Sequence, residues 1–188
     1  YEMGDPRSYI TPDCVADFTT AEVTQAGENR VRVSGVRGGP STPFYKVSAS
    51  FQAGWKASGQ LVIAGPRAVE KARLAADIVW KRLARAGVSF PEGDTVTEII
   101  GAGACHPGMG SLPADPPEVL LHLAVRGSDR TAVGRFGYEL APLITAGPPG
   151  VTGFAGGRPK PREIVEYWPA LVPKTLVDPF VKVSVEAV

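Results

Sequence analysis

The chain of 188 residues carries 20 Lys and Arg against 19 Asp and Glu, so its formal charge is +1 and it has no field strong enough to gather a nucleic-acid backbone. That balance argues against sequence-independent DNA or RNA binding. A membrane span is also argued against, because no apolar run approaches the roughly 18 to 20 residues that a spanning helix requires.

Gly (22) and Pro (18) fill 40 of the 188 positions, about 21% where about 12% is usual, which predicts many turns without reaching the composition of disorder. The length suits one compact domain, residues 1–188. Two cysteines, Cys14 and Cys105, lie far apart and outside any CxxC or His/Cys cluster. A disulfide scaffold and a structural zinc site are therefore not expected, and two free thiols place the chain in the cytoplasm. Its first eight residues have neither an initiator Met nor a signal-peptide pattern, which reads as a piece of a longer chain.

In chain order, residues 21–24 and 30–34 read as strands joined by turn residues 26–29. In Arg30-Val31-Arg32-Val33-Ser34 a period of two sets the valines on one face. A Gly/Pro/Ser connection follows over 37–43. The next strand, 44–51, turns Phe44, Lys46, Ser48 and Ser50 one way and Tyr45, Val47, Ala49 and Phe51 the other.

A short strand at 61–64 stops at Gly65, and Pro66 suits the first turn of a helix over 66–86. Its apolar stripe is Val69, Ala72, Ala76, Val79, Trp80 and Leu83, with Gly87 placed as a C-cap. Strands follow at 95–100 and 118–125, separated by a Gly/Pro-rich loop over 101–117. Ser128 can cap a second helix, 128–145, with Val133, Phe136, Leu140 and Ile144 inward and Pro142 kinking or shortening it. Strand candidates at 164–168 and 181–185 close the chain.

From residue 60 the order is strand, helix, strand, strand, helix, strand. That order predicts an α+β fold of the ferredoxin-like split βαβ kind, with two helices on one face of a mixed or antiparallel sheet. Residues 1–59 would add an amino-terminal β-hairpin and a strand. Val69, Val79, Leu83, Phe136 and Leu140 are expected to be buried.

Three stretches carry a resemblance. They are Gly4-Asp5-Pro6-Arg7-Ser8-Tyr9-Ile10-Thr11-Pro12-Asp13; then Arg30 to Gly35 running on to Tyr45-Lys46-Val47-Ser48-Ala49 with Gly54-Trp55; and Gly150-Val151-Thr152-Gly153 with Gly156-Gly157-Arg158-Pro159-Lys160. Together they resemble the acyclic terpene utilisation family, named after protein A of the bacterial citronellol and geraniol degradation cluster. The resemblance spans essentially the whole chain, in order, and matches the carboxy-terminal half of the family's core. It implies that a glycine-rich amino-terminal half is a partner and that an active site is shared with it. It further implies work on branched acyl-CoA thioesters, by hydration of an enoyl-CoA or by cleavage of a 3-hydroxy-3-methylglutaryl-CoA-like intermediate. Both reactions pass through an enolate.

Against that background, Lys46 and Ser48 share a strand face about 7 Å apart, where an ammonium and a hydroxyl can hold a carboxylate or an enolate oxygen. An edge lysine that discourages aggregation is the plainer reading. Asp13, in a matched segment, is the preferred carboxylate and acid/base, with Lys46 as electrophilic stabiliser. Tyr9 and Tyr45, also in matched segments, join the substrate-binding set.

The loop 147–161 sets Gly150, Gly153, Gly156 and Gly157 before Arg158 and Lys160. There backbone N–H groups and two cations can meet a CoA phosphate or a carboxylate. A plain loop is the alternative, and neither a P-loop nor a Rossmann fingerprint is present. Cys105-His106 needs an unusual backbone turn to act as a thiolate–imidazole pair. His122 reads as a hydrogen-bonded structural histidine. Asp13 and Asp17 are too few for a metal site, and Trp80 reads as core. No metal or redox cofactor is required, and CoA enters only as part of a substrate. A small carboxylate or acyl-CoA is the expected ligand, with a second copy of the chain as a further partner. The other class of function open to this sequence is a non-catalytic interaction or assembly domain.

Overall fold

A computed structural model describes residues 3–108, 111–153 and 156–186. The fold is α+β, and every strand pair whose register is defined runs antiparallel. The chain divides into two compact units, Tyr1–Phe51 with Tyr167–Val188, and Gln52–Glu166.

In the first unit β1 (Tyr9–Ile10), β2 (Cys14–Asp17) and a later β5 (Arg37–Pro40) form a three-stranded sheet in the order β1-β2-β5. Thr11 shapes the turn between β1 and β2: its hydroxyl donates to the Cys14 carbonyl at 2.7 Å and accepts from the Cys14 N–H at 3.1 Å. The expected connection at 37–43 is thus in part a strand. Its Arg-Gly-Gly-Pro composition lacks every β-propensity signal, and it is a strand by its pairing with β2, Cys14 opposite Pro40 and Asp17 opposite Arg37.

The expected hairpin forms from β3 (Glu22–Gly27) and β4 (Arg30–Ser34), with Val23 opposite Val33 and Asn29 in the left-handed region at the turn (φ 53). Ala16 is the only buried apolar residue among the described residues of this unit.

β6 (Phe44–Ala64) runs from the first unit into the second as a single strand of 21 residues, where two strands were expected. Gly54 and Gly59 lie within this strand as sites of close approach. A Cβ on Gly54, which has φ +118, would stand 2.8 Å from the Gly127 carbonyl oxygen.

The second unit holds the core. α1 (Ala68–Arg85) buries Ala68, Ala72, Ala75, Ala76, Val79 and Leu83, whereas Val69 is only half-buried. Pro66 precedes the helix, and Arg67, left-handed at φ 58, is its N-cap; the Arg67 N–H is bound by Asp115 Oδ1 at 2.8 Å. β7 (Thr95–Ile100) pairs with β8 (Glu118–Gly127), which pairs in turn with β6.

α2 (Arg130–Leu140) is capped by Asp129, whose side chain accepts from the Thr131 N–H at 2.8 Å, in place of the expected Ser128. Pro142 ends it, as its missing donor requires, and α3 (Leu143–Ala146) follows with Leu143 buried and Ile144 exposed, the reverse of the expected stripe. β9 (Val151–Gly153) pairs with β6 at Leu61–Ile63. β10 (Arg162–Pro173) outruns the expected 164–168, and α4 (Lys174–Val177) succeeds it.

Residues 181–186 have no regular structure, and Val183 and Val185 are almost fully exposed. The alternating valines there lack a ladder neighbour among the described residues, so an expected strand does not form.

The large sheet has the order β10-β6-β8-β7, with β9 also on β6. α1 and α2 both pack on β8 and on each other, hence on one face. That face carries Leu61, Ile63, Val119, Leu121, Leu123 and Val125, met by Val79, Leu83, Val133, Phe136 and Leu140, each worth about 1.5 to 3 kcal/mol of burial for a side chain of its size. Trp80 is half-buried, stacks on Phe136 at 6.2 Å and donates from Nε1 to Thr97 Oγ1 at 3.0 Å.

Candidate functional site

The site in the second unit is set by one extended segment, Arg158-Pro159-Lys160-Pro161-Arg162. A residue before proline is biased toward extended backbone, and Arg158 and Lys160 each precede one. Pro159 wedges between Gly59 of β6, where an added Cβ would lie 2.7 Å from its Cγ, and Gly137 of α2, where an added Cβ would overlap its carbonyl oxygen. At Gly137 the segment's backbone leaves no room for a side chain, and at Gly59 Leu140 Cδ2 presses closer still on an added Cβ.

On one side of the segment lies a cavity of about 860 Å³, to which β6 contributes Lys56, Ser58 and Gln60. These alternate along the strand with Ala57 and Leu61, which are buried in the core. The segment contributes Arg158, Lys160 and Arg162, and the described residues of the lining include no Asp or Glu. Four cations that repel one another around a common space favour an anion there, in a chain whose net charge supplies little general attraction. Gly156 and Gly157 also line it, at φ +100 and +66, with open space where a side chain would be.

On the other side lies a cleft of about 780 Å³ against α2, lined among others by Arg130, Arg135, Tyr138, Arg158 and Lys160. The Arg158 guanidinium stacks 4.5 Å from the Tyr138 ring centre, and Arg130 lies 5.0 Å from that of Trp55.

Arg135 is fixed from beneath by Glu139, which is buried and also accepts from Arg82 Nε of α1 at 2.6 Å. Burial pushes the Glu139 carboxyl up, but the hydrogen bonds and charges of the two arginines outweigh it and hold its pKa below the ordinary value.

In the first unit the structure brings together two residues from separate matched segments: Lys46 Nζ sits 3.8 Å from the centre of the Tyr9 ring. Tyr45 donates its hydroxyl to Asp178 Oδ1 at 2.7 Å. That bond, with the nearby charges of Asp178 and Asp13, raises the phenol's pKa. Lys174 lies 5.2 Å from the Tyr45 ring centre and donates to the Pro12 carbonyl at 2.7 Å. Asp13 and Ser48 are exposed.

The family model of the acyclic terpene utilisation family protein AtuA matches residues 1–183. The chain belongs to that family. No curated protein and no solved structure matches it.

In this family member the candidate residues fall into two sets. Tyr9, Asp13, Tyr45, Lys46 and Ser48 belong to the first unit, and Gly153, Gly156, Gly157, Arg158 and Lys160 to the second. Gly153 sits in β9 opposite Leu61 and outside the lining of that cavity, where part of the loop read at 147–161 pairs with β6.

His122 bonds through Nδ1 to Glu98 at 2.9 Å, half-buried on the sheet face opposite the helices. Asp17 caps Thr19, whose hydroxyl lowers its pKa. Cys105 and His106 are exposed. Of the loops read at 101–117 and 147–161, positions 109–110 and 154–155 lie outside the described residues.

Among the described residues no group of His, Cys, Asp or Glu is placed to hold a metal ion. Among them, too, no helix is long and apolar enough to cross a membrane.

Sequence reasoning missed Lys56, Ser58, Gln60 and Arg162. Their signal was present as polar residues at every second position of 56–60 and as cations at every second position of 158–162.

Proposed function

We propose that this family member serves acyclic terpene breakdown as part of a cytoplasmic hydratase or lyase acting on a CoA thioester or related carboxylate, together with the family's amino-terminal half. The observation that carries the reading is the cavity walled by Lys56, Arg158, Lys160 and Arg162, which suits the carboxylate or phosphate of such a substrate. Arg158 is the anion anchor. The first unit carries a candidate set of its own, in which Lys46 would meet an enolate oxygen and Asp13 would transfer a proton, with Ser48 beside Lys46 and Tyr9 holding its ammonium. We also propose a ferredoxin-like split βαβ for the second unit, supported by the strand order β10-β6-β8-β7 and by two helices on one face.

Titration calorimetry with a 3-hydroxy-3-methylglutaryl-CoA-type ester tests the function. The double variant Lys56→Ala/Arg162→Ala should lose at least tenfold in affinity, and unchanged affinity would refute the assignment.

A second reading, an assembly domain, is favoured by Val165, Tyr167, Trp168 and Leu171, all more than half exposed along β10. It predicts a concentration-dependent homo-oligomer in sedimentation and no affinity for the ester.

A further inference from the structure

We propose that the cleft beside α2 is a subsite for a phosphorylated purine nucleotide, the chemistry found at the far end of a CoA thioester. The inference rests on the reading above and adds a second ligand-binding place to it.

Three observations point there. First, the cleft's volume of about 780 Å³ lies within the roughly 300 to 1,000 Å³ range of small-molecule sites. Val88, Ala132 and Pro161 give it apolar wall, as a base and a ribose require.

Second, it holds a stacking platform. Tyr138 is 57% exposed, and the planar Arg158 guanidinium lies 4.5 Å from its ring centre. A purine can extend that stack on either member, since guanidinium and phenol faces both accept a base. A site for a bare carboxylate has no use for such a surface.

Third, cations stand around the platform in prearranged positions. Arg130 is set against the Trp55 ring, and Arg135 is held by the buried Glu139. Lys160 comes from the extended segment. Asp129, the carboxylate of this lining, is engaged by the Thr131 N–H and its charge is directed to the end of α2. Positions fixed before binding spare the ligand the cost of ordering long side chains.

Arg158 and Lys160 line both spaces. A ligand with two anionic ends therefore meets one cation-bearing divider from two sides. The cavity against β6 takes the carboxylate or acyl-side anion, and the cleft takes the nucleotide.

The probe is adenosine 3′,5′-bisphosphate, titrated calorimetrically into the wild-type chain and into Tyr138→Ala, Arg130→Ala and Lys81→Ala, with thermal melts as a check on folding. Tyr138→Ala and Arg130→Ala should each weaken the bisphosphate about tenfold, consistent with the loss of one base stack or one charge-assisted contact. Lys81→Ala, on the exposed face of α1 and outside both linings, should leave it within about twofold. Pyrophosphate, which has no base, should lose affinity in Arg130→Ala and keep it in Tyr138→Ala.

Absence of wild-type binding, or binding as tight in Tyr138→Ala and Arg130→Ala as in the wild type, would overturn the inference. Competition with CoA identifies the source of the nucleotide. If CoA displaces the bisphosphate, the subsite and the CoA reading stand together. If the bisphosphate binds with the expected variant pattern and CoA does not displace it, the subsite stands for a free nucleotide and the CoA reading falls.

Discussion

The Pro159 carbonyl oxygen occupies the place where a Cβ on Gly137 would stand. In an isolated helix Gly137→Ala would gain about 1 kcal/mol. Here the methyl meets backbone that cannot swing away, and overpacking of that kind costs about 1 to 3 kcal/mol or more. The clash is expected to win. Gly137→Ala should lower the melting temperature and weaken ligands of both spaces, because the segment that divides them is displaced. A variant more stable than wild type would show that Pro159 has room to move.

Glu139 ties α1 to α2 through Arg82 and Arg135. Its folded pKa lies below the ordinary 4.5, so its stabilising contribution is complete above that value and is lost as pH falls through the folded pKa. Glu139→Gln should therefore cost stability at pH 7, by about 1 to 3 kcal/mol, and the gap from wild type should close in denaturant melts run progressively below pH 4.5. A gap independent of pH would mean that shape, and not charge, is what Glu139 supplies.

Lys46 rests on Tyr9 at the surface, where a cation–π contact is worth about 0.5 to 1 kcal/mol. Lys46→Met should thus barely change the melt. If Lys46 stabilises an enolate oxygen, turnover of the CoA ester should fall by about 10²- to 10³-fold. A large loss of stability with turnover retained would make the lysine structural.

The thiols differ in access, since Cys105 is exposed and Cys14 is half-buried beside Thr11 and Gly38. Reaction with a disulfide reagent should modify Cys105 rapidly and Cys14 slowly in the native chain, and both at once in denaturant. Equal native rates would contradict the packing around β2.

The parts legible in the sequence were those written in periodicity. The stripe of α1 and the inward Val133, Phe136 and Leu140 of α2 are set by apolar spacing alone, and the β4 alternation announced its hairpin. What escaped was decided by neighbours distant in the chain. β5 is a strand because β2 lies beside it, β6 continues through Gly54 and Gly59, where Gly127 and Leu140 press closest, and 181–186 stays irregular for want of a partner among the described residues. Arg158 and Lys160 could be nominated from their glycine-rich surroundings. The alternation at 56–60 marks Lys56 as polar-faced, but only the fold sets it on the same wall.

The most direct test of the anion cavity is the affinity of the 3-hydroxy-3-methylglutaryl-CoA-type ester for Arg158→Ala, measured beside its thermal melt. Arg158 is exposed and lines both spaces, so affinity should fall about tenfold to a hundredfold while the melting temperature holds. Unchanged affinity, above all with a large drop in melting temperature, would contradict the assignment and leave Arg158 as a structural neighbour of Tyr138.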